Sequence, residues 1–513
     1  MTPGVLGPIV LVGYLLLVLL IGWISSRGQE STEAFWVAGR SFGVPLLVAA
    51  NVGSMLHGGA ILSHVGFAGH VGGIAVTANL SYALGFAAIF FFFAAKLRRS
   101  RGFTLPDFMG DRFDSRLLRA WTALVVAVTS VLYLVAQIRA MGYVMERLLG
   151  LEFWLGQLVG TAIFVAYVAL GGLRAVVWTN VLQLSLMWIG LLILAPSVYR
   201  AVGGFPSVMT RVEALAPGWT SPSGLQWTTG YLLSWYLLVF IAYSTRLELL
   251  TKVFAARDES VARRAIPWTA LVVMVFLAYG GLYLAAAARV LVWDSISSPD
   301  EAFPALVATL LGPLGTALAL TGIACAIMST TDSLLLMTGS AVAHDFLRRC
   351  LHEPRGAVRS DRYYLKISRV TVVVVGALSF LLALPDVALI LEIVAYALAI
   401  VGSSFFFPLL AGLLSPRVSR EAAASASIAG GLVAAFCAVF AIREAPWALH
   451  VHPVLPGLLV SALLITAVTP FTRPVREEAV RLYFAGPGGP HPPRARSAAS
   501  PNTRSNPCRD EPS

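Results

Sequence analysis

Charge is what this sequence has least of. Only 12% of its 513 residues are Asp, Glu, Lys or Arg, against roughly 25% in a soluble domain, which excludes a water-soluble fold for most of the chain. Cysteine is scarcer still. Cys325, Cys350, Cys437 and Cys508 stand far apart, with no CxxC or Cys/His spacing, so the sequence spells neither a disulfide framework nor a zinc site. No HExxH motif and no Ser/His/Asp ordering occurs among the apolar stretches, and no soluble catalytic domain is appended, which points away from an enzyme. The net charge of +11 does not signal nucleic acid, because the basic residues lie between apolar runs. The first of those runs has no basic segment before it and reads as a retained span, not a cleaved leader.

What is abundant is hydrocarbon: 58% of residues are hydrophobic and the mean hydropathy is +0.78. A membrane span needs about 20 apolar residues. Thirteen such stretches occur, at 5–25, 44–68, 72–95, 119–146, 154–171, 175–197, 229–251, 266–290, 304–340, 369–386, 387–414, 421–443 and 453–472. The expected fold is an all-α polytopic membrane protein with 13 transmembrane helices in a lipid bilayer. Basic residues gather in alternate loops, most densely from Lys96 to Arg119 and from Arg348 to Arg369, with Lys252, Arg257, Arg263 and Arg264 on the same side. The opposite loops hold only Arg139, Arg147, Arg200, Arg211, Arg289 and Arg443. By the positive-inside rule the N-terminus is outside and the C-terminus cytoplasmic, in the plasma membrane. Residues 473–513, rich in Gly, Pro, Arg and Ser, read as a disordered cytoplasmic tail.

Against this background one polar run stands out. Ser329, Thr330, Thr331, Asp332 and Ser333 are consecutive within an apolar span. Polar groups at membrane depth are costly unless satisfied, and this run offers only oxygens, the ligands of a hard cation. Two other spans read as interrupted helices. In 44–68, Asn51, Gly53, Ser54, His57, Gly58 and Gly59 break the apolar pattern, and in 229–251 the segment Ala242–Glu248 does so. Interrupted helices at matching places in two halves are the sequence sign of a transporter's binding site. Here they open two candidate five-span units, 44–197 and 229–414, of opposite topology, flanked by the helix of residues 1–25 and the pair in 421–472.

At this point the residues resemble the sodium:solute symporter family. The resemblance rests on Phe35-Trp-Val-Ala-Gly-Arg-Ser-Phe-Gly43, Thr104-Leu-Pro-Asp-Phe-Met-Gly-Asp-Arg-Phe113, Gly171-Gly-Leu-Arg-Ala-Val-Val-Trp-Thr179 and Ala326-Ile-Met-Ser-Thr330. It implies a five-plus-five inverted-repeat core with one helix before and two after. It also implies a sodium ion held by backbone carbonyls of Gly53 and Leu56, the carbonyl of Ala326, and the hydroxyls of Ser329 and Thr330, with Asp332 standing behind them. Two departures concern ion number: Met55 and Asn180 occupy places where family members carry Asp. Thr251-Lys252 replaces a commoner Gln-Arg.

For the solute, His57, Arg246, Tyr243 and Trp235 are the candidates. His57 sits beside the broken helix and is also a group that could carry a coupled proton. Arg246 either pairs with Glu248 or receives a solute carboxylate bidentately. The expected function is sodium-coupled symport of a small organic solute, an amino acid or carboxylate-bearing metabolite, by alternating access. Proton coupling in the same fold is the near alternative, and a transporter-like sensor the remoter one. No cofactor beyond the coupling ion, no nucleic acid and no obligate protein partner is implied.

Overall fold

A computed structural model describes residues 3–26, 42–55, 58–77, 79–100, 104–385, 388–443 and 445–484. The sequence motif at 35–41, Leu56, His57 and residues 485–513 lie outside the described set. In chain order the helices are α1 (Pro3–Ser26), α2 (Val44–Met55), α3 (Gly58–Val71), α4 (Gly73–Thr77), α5 (Asn79–Ala88), α6 (Ala94–Arg99), α7 (Leu105–Arg112), α8 (Arg116–Leu149), α9 (Phe153–Val202) and α10 (Phe205–Leu215). They continue as α11 (Thr229–Ser244), α12 (Leu247–Ala255), α13 (Glu259–Leu277), α14 (Ala285–Leu291), α15 (Ala302–Leu310), α16 (Pro313–Ser340), α17 (Asp361–Ala383), α18 (Ile390–Leu414), α19 (Arg420–Ile442), α20 (Val454–Val468) and α21 (Glu477–Phe484). Nine helices among the described residues are long and apolar enough to cross a membrane, with four shorter apolar ones beside them.

α16 is the axis of the assembly. Every residue from Ala319 to Ser340 is buried, as befits a helix apolar on most of its circumference and enclosed on all sides. Its main neighbour is α9, with α8, α1 and α17 completing the jacket. The α9–α16 crossing is close because both helices present small residues. A Cβ on Gly190 would lie 2.9 Å from Ala319 Cα, and one on Gly322 would lie 2.8 Å from the Leu186 carbonyl oxygen. Small residues let helices in lipid approach until dispersion replaces the absent hydrophobic drive.

The interruption expected in 229–251 is there, and the one expected in 44–68 falls at Leu56-His57, outside the described residues. α2 stops at Met55 and α3 starts at Gly58; α11 stops at Ser244 and α12 starts at Leu247. The second span of each expected unit also carries a π-helical stretch, Ile89–Phe93 in one and Ala278–Leu284 in the other. π-Bulges recur at functional sites within helices.

Several boundaries differ from expectation. The span expected at 304–340 is broken at Leu311-Gly312, where Pro313 begins α16 at the position a proline tolerates. The expected spans 154–171 and 175–197 are not parted by a loop: α9 is helical over 50 residues. Gly171-Gly172 is followed by Leu, Arg, Ala and Val with no proline, so nothing in the segment removes a helical hydrogen bond. A straight helix of that length would run about 75 Å, more than twice the hydrocarbon thickness. The tail expected from residue 473 instead begins with α21, whose Val480, Tyr483 and Phe484 share one face. Tyr483 meets Phe108 edge-on at 5.4 Å, and the Phe484 ring lies 5.6 Å from Lys96 Nζ and from the Arg112 guanidinium.

Candidate functional site

The polar run of α16 faces the end of α2 across a seam of oxygens. Ser329 Oγ lies 2.6 Å from the Gly53 carbonyl oxygen and 2.8 Å from Asn180 Oδ1. Thr330 Oγ1 donates to the Ser54 carbonyl at 3.1 Å, and Ser54 Oγ and Ser333 Oγ are 3.0 Å apart. A hydroxyl has one proton, so Ser329 donates to one of these oxygens at a time, while the amide nitrogen of Asn180 is a buried donor without a partner among the described residues. Hydroxyl and carbonyl oxygens gathered in this way are the ligands of a hard cation. The approach at Gly53 is tight: a Cβ there would stand 3.2 Å from Ser329 Oγ and 3.4 Å from Asn180 Cβ. Ala326 lies one turn before Ser329, buried on the same helix.

Asp332 is fully buried and accepts a hydrogen bond from the Tyr167 hydroxyl. Its second oxygen is without a hydrogen-bond partner among the described residues. Sequence reasoning had no signal for Tyr167, which comes from an unremarkable stretch of α9.

Arg246 occupies the break between α11 and α12 and is 2% exposed. Its Nε is 3.3 Å from Glu248 Oε2, its NH2 donates to the Tyr133 hydroxyl at 2.5 Å, and the rings of Tyr133 and Tyr243 lie 5.5 and 5.3 Å from the guanidinium. Of the two roles read for Arg246, the pairing with Glu248 is the one made in this conformation. Tyr243 is brought to Arg246, and packs edge-on against Tyr82 at 4.4 Å. Trp235 is not. It lies two turns earlier on α11, stacked on Phe67 at 5.7 Å and donating to the Val76 carbonyl at 3.4 Å.

Lys252 is the residue whose place the sequence misjudged. Counted with a basic loop, it is buried on α12, its ammonium donating to the Ala50 carbonyl at 2.9 Å and to Ser54 Oγ, and reaching Ser333 Oγ at 3.4 Å. Hydropathy cannot tell whether a lysine at a span's end snorkels out to water or turns inward.

A second polar concentration joins α7 to the π-helical stretch Ala341–His352 that continues α16. Asp107 accepts from Arg119 at 2.7 Å and pairs with His344 at 2.9 Å. Arg119 and Arg349 also bind Asp111, at 2.5 and 3.0 Å, and Thr104 donates to Asp345 at 2.7 Å. A Cβ on Gly110 would lie 2.3 Å from Arg119 Nε, so glycine opens the path for that side chain. Burial works to raise the Asp107 carboxyl, yet His344, Arg119 and Arg349 together hold it well below the usual carboxylate range. Asp107, His344 and Asp345 bring ligand-type atoms within 4.8 Å of one another, but two guanidinium groups already answer their charge.

The family model of the sodium:solute symporters matches residues 35–430. The chain belongs to the sodium:solute symporter family. The symporter is 27% identical to the osmoregulated proline transporter OpuE of Bacillus subtilis over 490 residues, 92% of this chain and 96% of that one. It is 26% identical to the sodium/proline symporter of Escherichia coli, covering 88% and 90%, and 26% identical to the sodium/pantothenate symporter of the same organism, covering 72% and 75%. Its fold matches the substrate-bound, outward-open structure of a sodium-coupled sialic acid symporter with a TM-score of 0.74, at 17% identity over 92% of this chain and 99% of the other. The closed, bromovinylhydantoin-bound Mhp1 transporter matches with a TM-score of 0.54, at 14% identity over 89% and 98%. The symporter is thus an integral membrane transport protein with sodium as the coupling ion of its family.

Proposed function

We propose that this symporter uses an inward sodium gradient to accumulate a small organic solute by alternating access, one sodium ion per solute. The observation that carries the reading is the seam of oxygens in which Ser329 and Thr330 meet the carbonyls of Gly53 and Ser54. The ion is held by the carbonyls of Gly53, Leu56 and Ala326 and the hydroxyls of Ser329 and Thr330. Its ligands come from two helices, so binding draws α2 toward α16 and favours the conformation in which they meet. Asn180 contributes a dipole without a charge, which supports a single ion.

The solute is an amino acid or a related carboxylate-bearing metabolite, contacted by Arg246, Tyr243 and His57. A solute carboxylate suits Arg246: it takes the guanidinium and releases Glu248 from the pair. Trp235 walls the outer approach. The chain crosses the bilayer as two inverted repeats with one helix before and two after, N-terminus outside and C-terminus cytoplasmic. The Lys/Arg asymmetry of the loops supports this arrangement.

A thermal-shift screen of the purified protein tests the solute class. Zwitterionic amino acids are expected to stabilise the symporter, and to do so more strongly with sodium than with choline. Stabilisation by an uncharged sugar alone, or by solutes equally with and without sodium, overturns the reading.

A further inference from the structure

The buried ammonium of Lys252 bridges the same two helices as the sodium ligands. It binds α2 through the Ala50 carbonyl and Ser54 Oγ, and reaches α16 through Ser333 Oγ. Ala50 is three residues before Gly53, and Ser333 is four residues after Ser329. On a helix such positions are neighbours, about 5–6 Å apart. Ser54 serves both sites at once: its carbonyl accepts from Thr330 and its hydroxyl from Lys252. A sodium ion at Gly53, Ser329 and Thr330 therefore sits about one helical turn from a fixed positive charge. In a buried setting that repulsion is far stronger than in water.

The ammonium has somewhere else to go. Glu248 stands four residues before Lys252 on α12, on the same face. It is buried, its Oε2 faces Arg246, and its Oε1 has no hydrogen-bond partner among the described residues.

We propose that Lys252 is a tethered cation that stands in for sodium at the α2–α16 seam. It bridges the helices when the ion is absent and turns toward Glu248 when the ion binds. The proposal rests on the reading that Gly53, Ser329 and Thr330 hold sodium. It gives the empty carrier a cation of its own, with which it closes the seam and returns without cargo.

The test is a sodium titration of the purified protein without solute, read by thermal stability, for the wild type and four variants. Lys252→Met keeps the aliphatic stem without the charge and is expected to tighten sodium binding at least tenfold, about 1.4 kcal/mol. Lys252→Arg keeps the charge and stays near wild type. Glu248→Gln takes away the alternative position and shifts sodium affinity the opposite way, which a purely structural role would not do; it also decides the matter if Lys252→Met does not fold. In proteoliposomes Lys252→Met loses net uptake while exchange, with sodium and solute on both sides, persists. Unaltered sodium affinity in Lys252→Met, or equal shifts in the Met and Arg variants, overturns the proposal while leaving the sodium site standing. A wild type that does not respond to sodium, or a Ser329→Ala/Thr330→Ala variant that responds as the wild type does, overturns both.

Discussion

Two buried polar clusters lie within this protein, and they are built on opposite rules. Around Asp107, charge meets charge: Arg119, Arg349 and His344 converge on two carboxylates, and the contacts are salt bridges between side chains. At the α2–α16 seam the oxygens are neutral hydroxyls, carbonyls and an amide, and a cation, Lys252, reaches in from a third helix. The first cluster is a set of paired charges, closed around Asp107, with one oxygen of Asp345 unpartnered among the described residues. The second is the set proposed to take an ion. A closed ion-pair network fixes the mutual position of elements, whereas a seam of neutral oxygens changes with what occupies it.

Breaking the closed set should cost stability and little else. Arg119→Ala leaves Asp107 and Asp111 short of a buried guanidinium, a change worth about 3–5 kcal/mol in comparable buried pairs. Lower melting temperature and abundance are expected, with the sodium dependence of the surviving protein unaltered. A shifted sodium dependence in that variant would erase the distinction between the clusters.

Breaking the set at the seam should do the reverse. Ser329→Ala with Thr330→Ala removes two hard ligands and leaves carbonyls alone, so the apparent sodium affinity should fall roughly tenfold or more, at least about 1.4 kcal/mol. Protein abundance should change little. Sodium-stimulated uptake with an unaltered concentration dependence would remove these hydroxyls from the site.

The smallest effect sharpens the comparison at a third place, the Arg246–Glu248 pair, where a closed pair is proposed to open for the solute. Arg246→Lys keeps the charge but not the planar fork. A loss of about 1 kcal/mol in solute binding, the scale of one hydrogen bond, is expected. Solute affinity equal to that of the wild type would leave Arg246 a structural residue.

How much of this could be read from the sequence divides along the same line. The seam announced itself, because five consecutive polar residues in an apolar span have no cheap structural explanation. The helix break at Thr245-Arg246 was legible for the same reason. The closed cluster was not. Thr104–Phe113 served only as a family marker, since Asp107, Arg119 and His344 are scattered over 237 residues and meet only in the fold. Lys252 was assigned to a loop because its inward turn depends on acceptors supplied by α2 and α16. The break before Pro313 lay hidden in an apolar run, and the helix at 477–484 in a polar one whose only signal was three apolar residues on one face.

Coupling is the centre of this account, and the flux ratio of sodium to solute in proteoliposomes tests it most directly. With a single charge-neutral oxygen site at the seam and Asn180 beside it, the ratio should be one, and Asn180→Asp should raise it or steepen the sodium dependence. A wild-type ratio of two would contradict the single site, and uptake driven equally well by a proton gradient in the absence of sodium would contradict sodium coupling itself.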